Sequence, residues 1–183
     1  MKAAKLDPLK WIPLTPKEAA MNAKDALNAQ MDLGSHILKT YLSDLSDAEL
    51  LTRPTVGSNH VAWQIGHLIH SEQQLLEKVC PGAGVELPAG FGDQHGKATT
   101  GSDAPENFLS KAKYLELFEL QRAATKGALE KFSDADLDKP SPETFGGMCP
   151  TIGLFFNLLA GHVTMHVGQF AAARRVLGKP VLI

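Results

Sequence analysis

Residues 151–178 read TIGLFFNLLAGHVTMHVGQFAAARRVLG, and their spacing decides the fold. Ile152, Phe156, Leu159, Val163, Phe170 and Leu177 recur at intervals of three, four and seven, the period of a helix with one apolar stripe. The helix is predicted to open at Thr151, behind Cys149-Pro150, and to end before Gly178 and Pro180. One amphipathic helix cannot bury its own stripe, so the rest of the chain must supply partners.

Working outward, three further segments carry the same period. A second helix is predicted after Ser58 or Asn59 and before Pro81, with Val61, Ile65, Leu68, Leu75, Leu76 and Val79 as its stripe. The first helix is predicted over 16–44. Thr15-Pro16-Lys17-Glu18 reads as its capping box, and Ala20, Leu27, Met31, Gly34, Leu38 and Leu42 face inward. A third is predicted from Asp103-Ala104-Pro105 to about Phe132, with Phe108, Leu115, Phe118 and Leu129 in the core. Residues 81–105, rich in Gly and Pro, form a long loop. No segment alternates like a strand. The expectation is an all-α protein: an extended arm over residues 1–14, packing through Trp11, Ile12 and Leu14, and one four-helix bundle domain over 15–183.

Composition removes several classes of function. Among 183 residues, 18 Lys and Arg meet 20 Asp and Glu, so no basic field exists to displace counterions and no nucleic-acid partner is expected. No run approaches the roughly 20 apolar residues of a membrane span. The N-terminus lacks the apolar core of a signal peptide, so no membrane partner and a cytoplasmic location are expected. Two cysteines, Cys80 and Cys149, make neither a disulfide framework nor a metal knuckle. Seven histidines make imidazole the chemistry to follow.

A weak internal repeat relates the two halves. Ser46-Asp47-Ala48-Glu49-Leu50 with Arg53-Pro54 is echoed by Ser133-Asp134-Ala135-Asp136-Leu137 with Lys139-Pro140. Gly66-His67 and Gly161-His162 then occupy matching places in the second and fourth helices. A twofold perpendicular to the bundle axis would make those helices antiparallel and bring His67 and His162 together near the middle.

His162 and His166, spaced i, i+4, share one helix face and can reach one metal ion. Two histidines with ordinary hydrogen bonds remain the plainer reading of that spacing alone. Gln169 continues their ridge, and an inward ridge of this kind demands partners. With His67 the set becomes three imidazoles, which leaves a coordination position open as in catalytic sites. His60 lies two turns before His67 and can line the approach, as can His95 in the loop; His36 and His70 read as solvated. Glu72 falls in the centre of the second stripe, so a buried carboxylate there needs Arg174 or Arg175, a cap, or a ligand histidine as partner. With the second and fourth helices antiparallel, Cys80 and Cys149 fall at one end of the bundle, too far from the histidines to be ligands.

Asn59-x-x-Ala62-Trp63-x-x-Gly66-His67-x-x-x-x-Glu72, then Gly161-His162-x-x-x-His166-x-Gly168-Gln169 and Arg174-Arg175-x-Leu177-Gly178, resembles the DinB/YfiT-like superfamily. The resemblance implies an up-down-down-up bundle binding a divalent metal, typically zinc or nickel, through His67, His162 and His166, often as a homodimer. It departs from the pattern at Val167, where many relatives carry Arg. It implies activation of a small-molecule thiol or of water, as in a thiol S-transferase or a hydrolase acting on a small-molecule substrate. Gln169, His60 and Glu72 are the candidate catalytic helpers, for substrate binding or proton transfer. Low cysteine content makes a low-molecular-weight thiol the source of any reacting sulfur. The competing expectation is a non-enzymatic, dimeric metal-binding stress or interaction protein in which the ion crosslinks two helices.

Overall fold

The computed structural model describes residues 21–142 and 147–183. Four long helices dominate: α1 (Ala23–Leu42), α2 (Val61–Val79), α3 (Lys111–Leu129) and α4 (Ile152–Val176). Cross-helix contacts fix their directions. Asp32 pairs with Lys126 and Lys39 with Glu119, so α1 and α3 are antiparallel. Leu27 and Met31 share one core cluster with Phe155 and Phe156, while Leu38 and Tyr41 share the other with Phe170 and Ala173, so α1 and α4 run parallel. By the same logic α2 is parallel to α3 and antiparallel to α4. The topology is up-down-down-up, with α2 flanked by α3 on one side and α4 on the other.

The stripes of α1, α2 and α4 are buried over most of their length. Leu27, Met31, Gly34, Leu38, Leu42, Val61, Ile65, Leu68, Leu76, Phe156, Leu159, Val163 and Phe170 are buried. Leu75, Val79, Ile152 and Leu177 are half-buried, and Ala20 lies outside the described residues. In α3 the expectation holds for Phe118 and Leu129, but Leu115 is only half-buried and Tyr114 and Leu117 take the core positions. Phe108 packs on the core from outside that helix.

The helix starts differ from expectation for local reasons. α1 opens at Ala23, because the Asn22 side chain accepts from the Asp25 amide and Asp25 accepts in return from the Asn22 amide. The Thr15–Glu18 capping box and the 1–14 arm lie outside the described residues. Asp103-Ala104-Pro105 opens only a short 3-10 turn, Pro105–Asn107. α3 begins six residues later than that proline, at Lys111, where Ser110 accepts from the Lys113 amide. α4 starts at Ile152, one residue after the expected Thr151, because the Thr151 side chain accepts from the Leu154 amide and so caps the helix.

The two halves of the repeat fold alike. Ser46 and Glu49 bond each other ahead of the turn Glu49–Leu51, as Ser133 and Asp136 do around the turn Asp134–Leu137. The segment between α2 and α3 is folded rather than irregular, with helical turns at Phe91–Gln94 and Lys97–Thr99. Arg53 ties it down through Asp103 and the carbonyls of Thr100 and Ser102. Cys80 and Cys149 are free thiols that both pack in the cluster at the end where α2 finishes. Among the described residues no helix is long and apolar enough to cross a membrane.

Candidate metal centre

The antiparallel pairing of α2 and α4 brings His67 to His162 and His166. Ring centroids are 5.4 Å apart for His67 and His162, 5.3 Å for His67 and His166, and 5.0 Å for His162 and His166. One nitrogen from each lies within 4.8 Å of the others, the one such group of possible metal ligands among the described residues. Nitrogens sharing a tetrahedral zinc would stand about 3.4 Å apart. All three rings are half-buried, so solvent retains access.

Their electrostatics suit a cation ligand. Burial pushes His162 and His166 down to about 4, and the neighbouring imidazoles push the same way, with Arg122 adding to the effect on His162. Burial and then His70 also lower His67. At neutral pH the group is therefore three uncharged imidazoles, the form that coordinates metal without first losing protons. Three imidazole donors fit a divalent transition-metal ion.

His67 and His166 have supporting contacts outside the cluster. The Trp63 indole stacks on His67, centroids 5.1 Å apart and planes 9° from parallel. Trp63 Nε1 donates to Thr99 Oγ1, so the loop segment holds that indole in place. Ser71 Oγ lies 3.3 Å from His67 Nδ1. His166 Nδ1 stands 2.9 Å from Oε1 of Gln64, a fully buried residue one turn before His67. A glutamine on the flank of a buried helix face is the sequence signal that points to a polar partner within the protein.

The other candidates fall elsewhere. Gln169 is exposed and does not form an inward ridge. On the helical wheel it lies about 20° further from the core than His162, which already sits at the boundary. His60 is buried as the N-cap of α2: its Nδ1 accepts from the Trp63 amide and its Nε2 lies 3.1 Å from the Ser102 carbonyl. Glu72 is buried as expected, but its partner is neither Arg174 nor Arg175. Oε2 lies 2.9 Å from Nη2 of buried Arg122, and Oε1 accepts from Thr125 Oγ1 at 2.6 Å, both on α3. Burial pushes the Glu72 carboxyl up, while Arg122 and Thr125 pull it back. Arg174 instead pairs with Asp44 and donates to the Tyr41 and Pro180 carbonyls.

His95 is a core residue, fully buried between the Phe91 carbonyl and the Tyr114 hydroxyl. Its ring lies against Gly66, the residue preceding His67. His36 and His70 are half-buried rather than solvated. Val167 is buried in the core.

A four-helix bundle in this order, with three neutral imidazoles converging from its second and fourth helices, defines a histidine-cluster bundle protein. The sequence model of the DinB superfamily matches residues 30–170, and the chain belongs to that superfamily. A conserved protein from Enterococcus faecalis has a similar structure, with a TM-score of 0.64 and 19% identity over 87% of this chain and all of that one. YfiT from Bacillus subtilis, described as a probable metal-dependent hydrolase with an unusual four-helix bundle topology, is similar with a TM-score of 0.59 and 16% identity over 91% of this chain and 94% of its own. No curated protein matches the sequence significantly.

Proposed function

We propose that the chain is a metal-dependent enzyme in which His67, His162 and His166 hold a divalent ion, zinc or nickel, to activate a small-molecule thiol or water. The observation that carries this reading is the convergence of three neutral imidazoles, with no fourth His, Cys, Asp or Glu in the group among the described residues. A structural zinc site is normally closed by four protein ligands, whereas three leave a position for substrate. When bound, such an ion supplies Lewis acidity that lowers the pKa of a thiol or water and stabilises the nucleophile at neutral pH. The chain's part is to keep the imidazoles uncharged by burial, to orient His166 through Gln64 and His67 through Trp63, and to leave the three rings only half-buried.

Thiol transfer to an electrophile is the sharper form of the proposal and hydrolysis the second. Both free cysteines belong to the apolar end of the bundle, which favours an external thiol as sulfur donor. Gln169, exposed on the ridge beside His162 and His166, is available to a substrate rather than to the core. The same reading carries a small-molecule substrate and, following the resemblance, a homodimer, which light scattering on the purified chain tests.

The direct experiment is a panel of low-molecular-weight thiols with an electrophilic acceptor, alongside ester and amide substrates, with and without chelator. Chelator-sensitive turnover that His67→Ala and His162→Ala abolish is expected. Undiminished metal content in both variants would sink the ligand assignment. A fully loaded protein inert toward every substrate would return the chain to the non-enzymatic, helix-crosslinking reading.

A further inference from the structure

Gln64 makes two hydrogen bonds, and together they leave its amide one orientation. Nε2 donates to the Asn59 carbonyl at 2.7 Å. A carbonyl can only accept, so this contact must be served by the NH₂ group. Oε1 is thereby turned to His166 Nδ1 at 2.9 Å, and it too can only accept. His166 must then carry its proton on Nδ1. The unprotonated nitrogen is Nε2.

We propose that Gln64 is a positioning residue that holds His166 in the Nδ1–H tautomer and selects Nε2 as its ligand atom. The relay runs from the Asn59 carbonyl at the start of α2, through the buried Gln64 amide, to an imidazole on α4. It therefore crosses the same helix pair that the ion would bridge. Gln64 is buried without exposure, so water does not compete for its carbonyl. A neutral amide acceptor orients the ring while adding no charge to the cluster, unlike the carboxylate that often plays this part beside a metal-bound histidine. This inference rests on the metal reading above only for its effect on affinity; the tautomer is a property of the metal-free protein.

The test uses the full chain. Imidazole ¹⁵N shifts of the metal-free protein, assigned with His166→Gln, report the tautomer directly. The wild type is expected to show His166 protonated on Nδ1, and Gln64→Leu to show a mixture or the other tautomer. Zinc affinity, measured by competition with a chromophoric chelator, is expected to fall about 10- to 100-fold in Gln64→Leu. Gln64→Glu keeps an acceptor for His166 Nδ1 but loses the donor to the Asn59 carbonyl, so it is expected to keep the Nδ1–H tautomer while unfolding at a lower urea concentration. An Nε2–H tautomer in the wild type would overturn the proposal, even if Gln64→Leu failed to fold. So would wild-type zinc affinity in a folded Gln64→Leu protein. A wild type that takes up no metal would defeat the metal reading instead, and the nitrogen spectrum would still decide the role of Gln64.

Discussion

Replacing Gly66 by Ala should damage this protein, although Gly-to-Ala inside a helix ordinarily stabilises by up to about 1 kcal/mol. A Cβ at position 66 would stand 2.0 Å from Cδ2, 2.2 Å from Nε2 and 2.4 Å from Cγ of His95. The His95 ring cannot simply swing aside. It is 1% exposed, with Nδ1 bound to the Phe91 carbonyl at 2.8 Å and Nε2 to the Tyr114 hydroxyl at 2.7 Å. Forcing an extra methyl into a packed site costs about 1–3 kcal/mol. Stranding a buried hydrogen-bonding group costs about 1–3 kcal/mol more. After a helix-propensity gain of about 1 kcal/mol, the net loss is about 1–5 kcal/mol, which lowers Tm by about 2–20 °C in a chain of this size. Urea and thermal unfolding measure it, with Gly127→Ala as control. Gly127 also lies inside a helix but faces open space, so that variant should be unchanged or slightly more stable. The double variant with His95→Ala should lose less than the sum of its parts, because the clash disappears with the ring. A Gly66→Ala protein as stable as wild type, or costs that simply add, would refute the reasoning.

The remaining predictions concern charge and capping. Glu72→Ala leaves Arg122 charged and buried, so a loss of about 3–5 kcal/mol is expected, while exchanging both residues for Met should recover most of it; strict additivity in urea titrations would contradict the pairing. His95, His162 and His166 sit at about 4 in the folded protein against 6.5 as the ordinary value. The unfolded chain therefore binds more protons between those limits, and the metal-free protein should lose stability as pH falls from about 6.5 to 4 and plateau above 7. A Tm that stays flat across that range would reject the depressed values. His60→Ala should cost about 1–2 kcal/mol through the lost α2 cap yet leave zinc affinity within about twofold, and a collapse of affinity without loss of stability would place His60 in the site after all.

The long-range architecture was readable because it rests on repetition. Stripes in α1, α2 and α4 announce buried faces, and the matched Gly-His pairs announce which helices meet. What escaped reading was decided by single side chains. Asn22 with Asp25 forms a capping box without the usual Glu. Pro105 looks like a first helical residue but opens a 3-10 turn, while the less conspicuous Ser110 caps α3. His60 is not a residue type that suggests an N-cap at all. For Glu72, a need for a cation was legible, but not which helix would supply it. The Arg174-Arg175 pair was conspicuous, whereas Arg122 becomes available only because α3 lies parallel beside α2.

These misses converge on one element. α2 presents Gln64 and His67 to α4, Glu72 to α3, and Gly66 and Trp63 to the segment between α2 and α3. Each contact is polar or sterically exact enough to be costly when broken, and each constrains the rotation of the same helix. A rotation of α2 that withdrew His67 from His162 would also drive Gly66 off the His95 ring, pull Trp63 from Thr99 and separate Glu72 from Arg122. The connection between α2 and α3 is longer than a minimal bundle needs, and this gives it a physical role: it supplies His95 and Thr99, without which the histidine on α2 would be held from two sides rather than three. In a bundle whose helices otherwise pack through interchangeable apolar groups, that is what makes one register of α2 against α4 better than its neighbours, and hence what allows three imidazoles from two helices to form a site before any ion arrives.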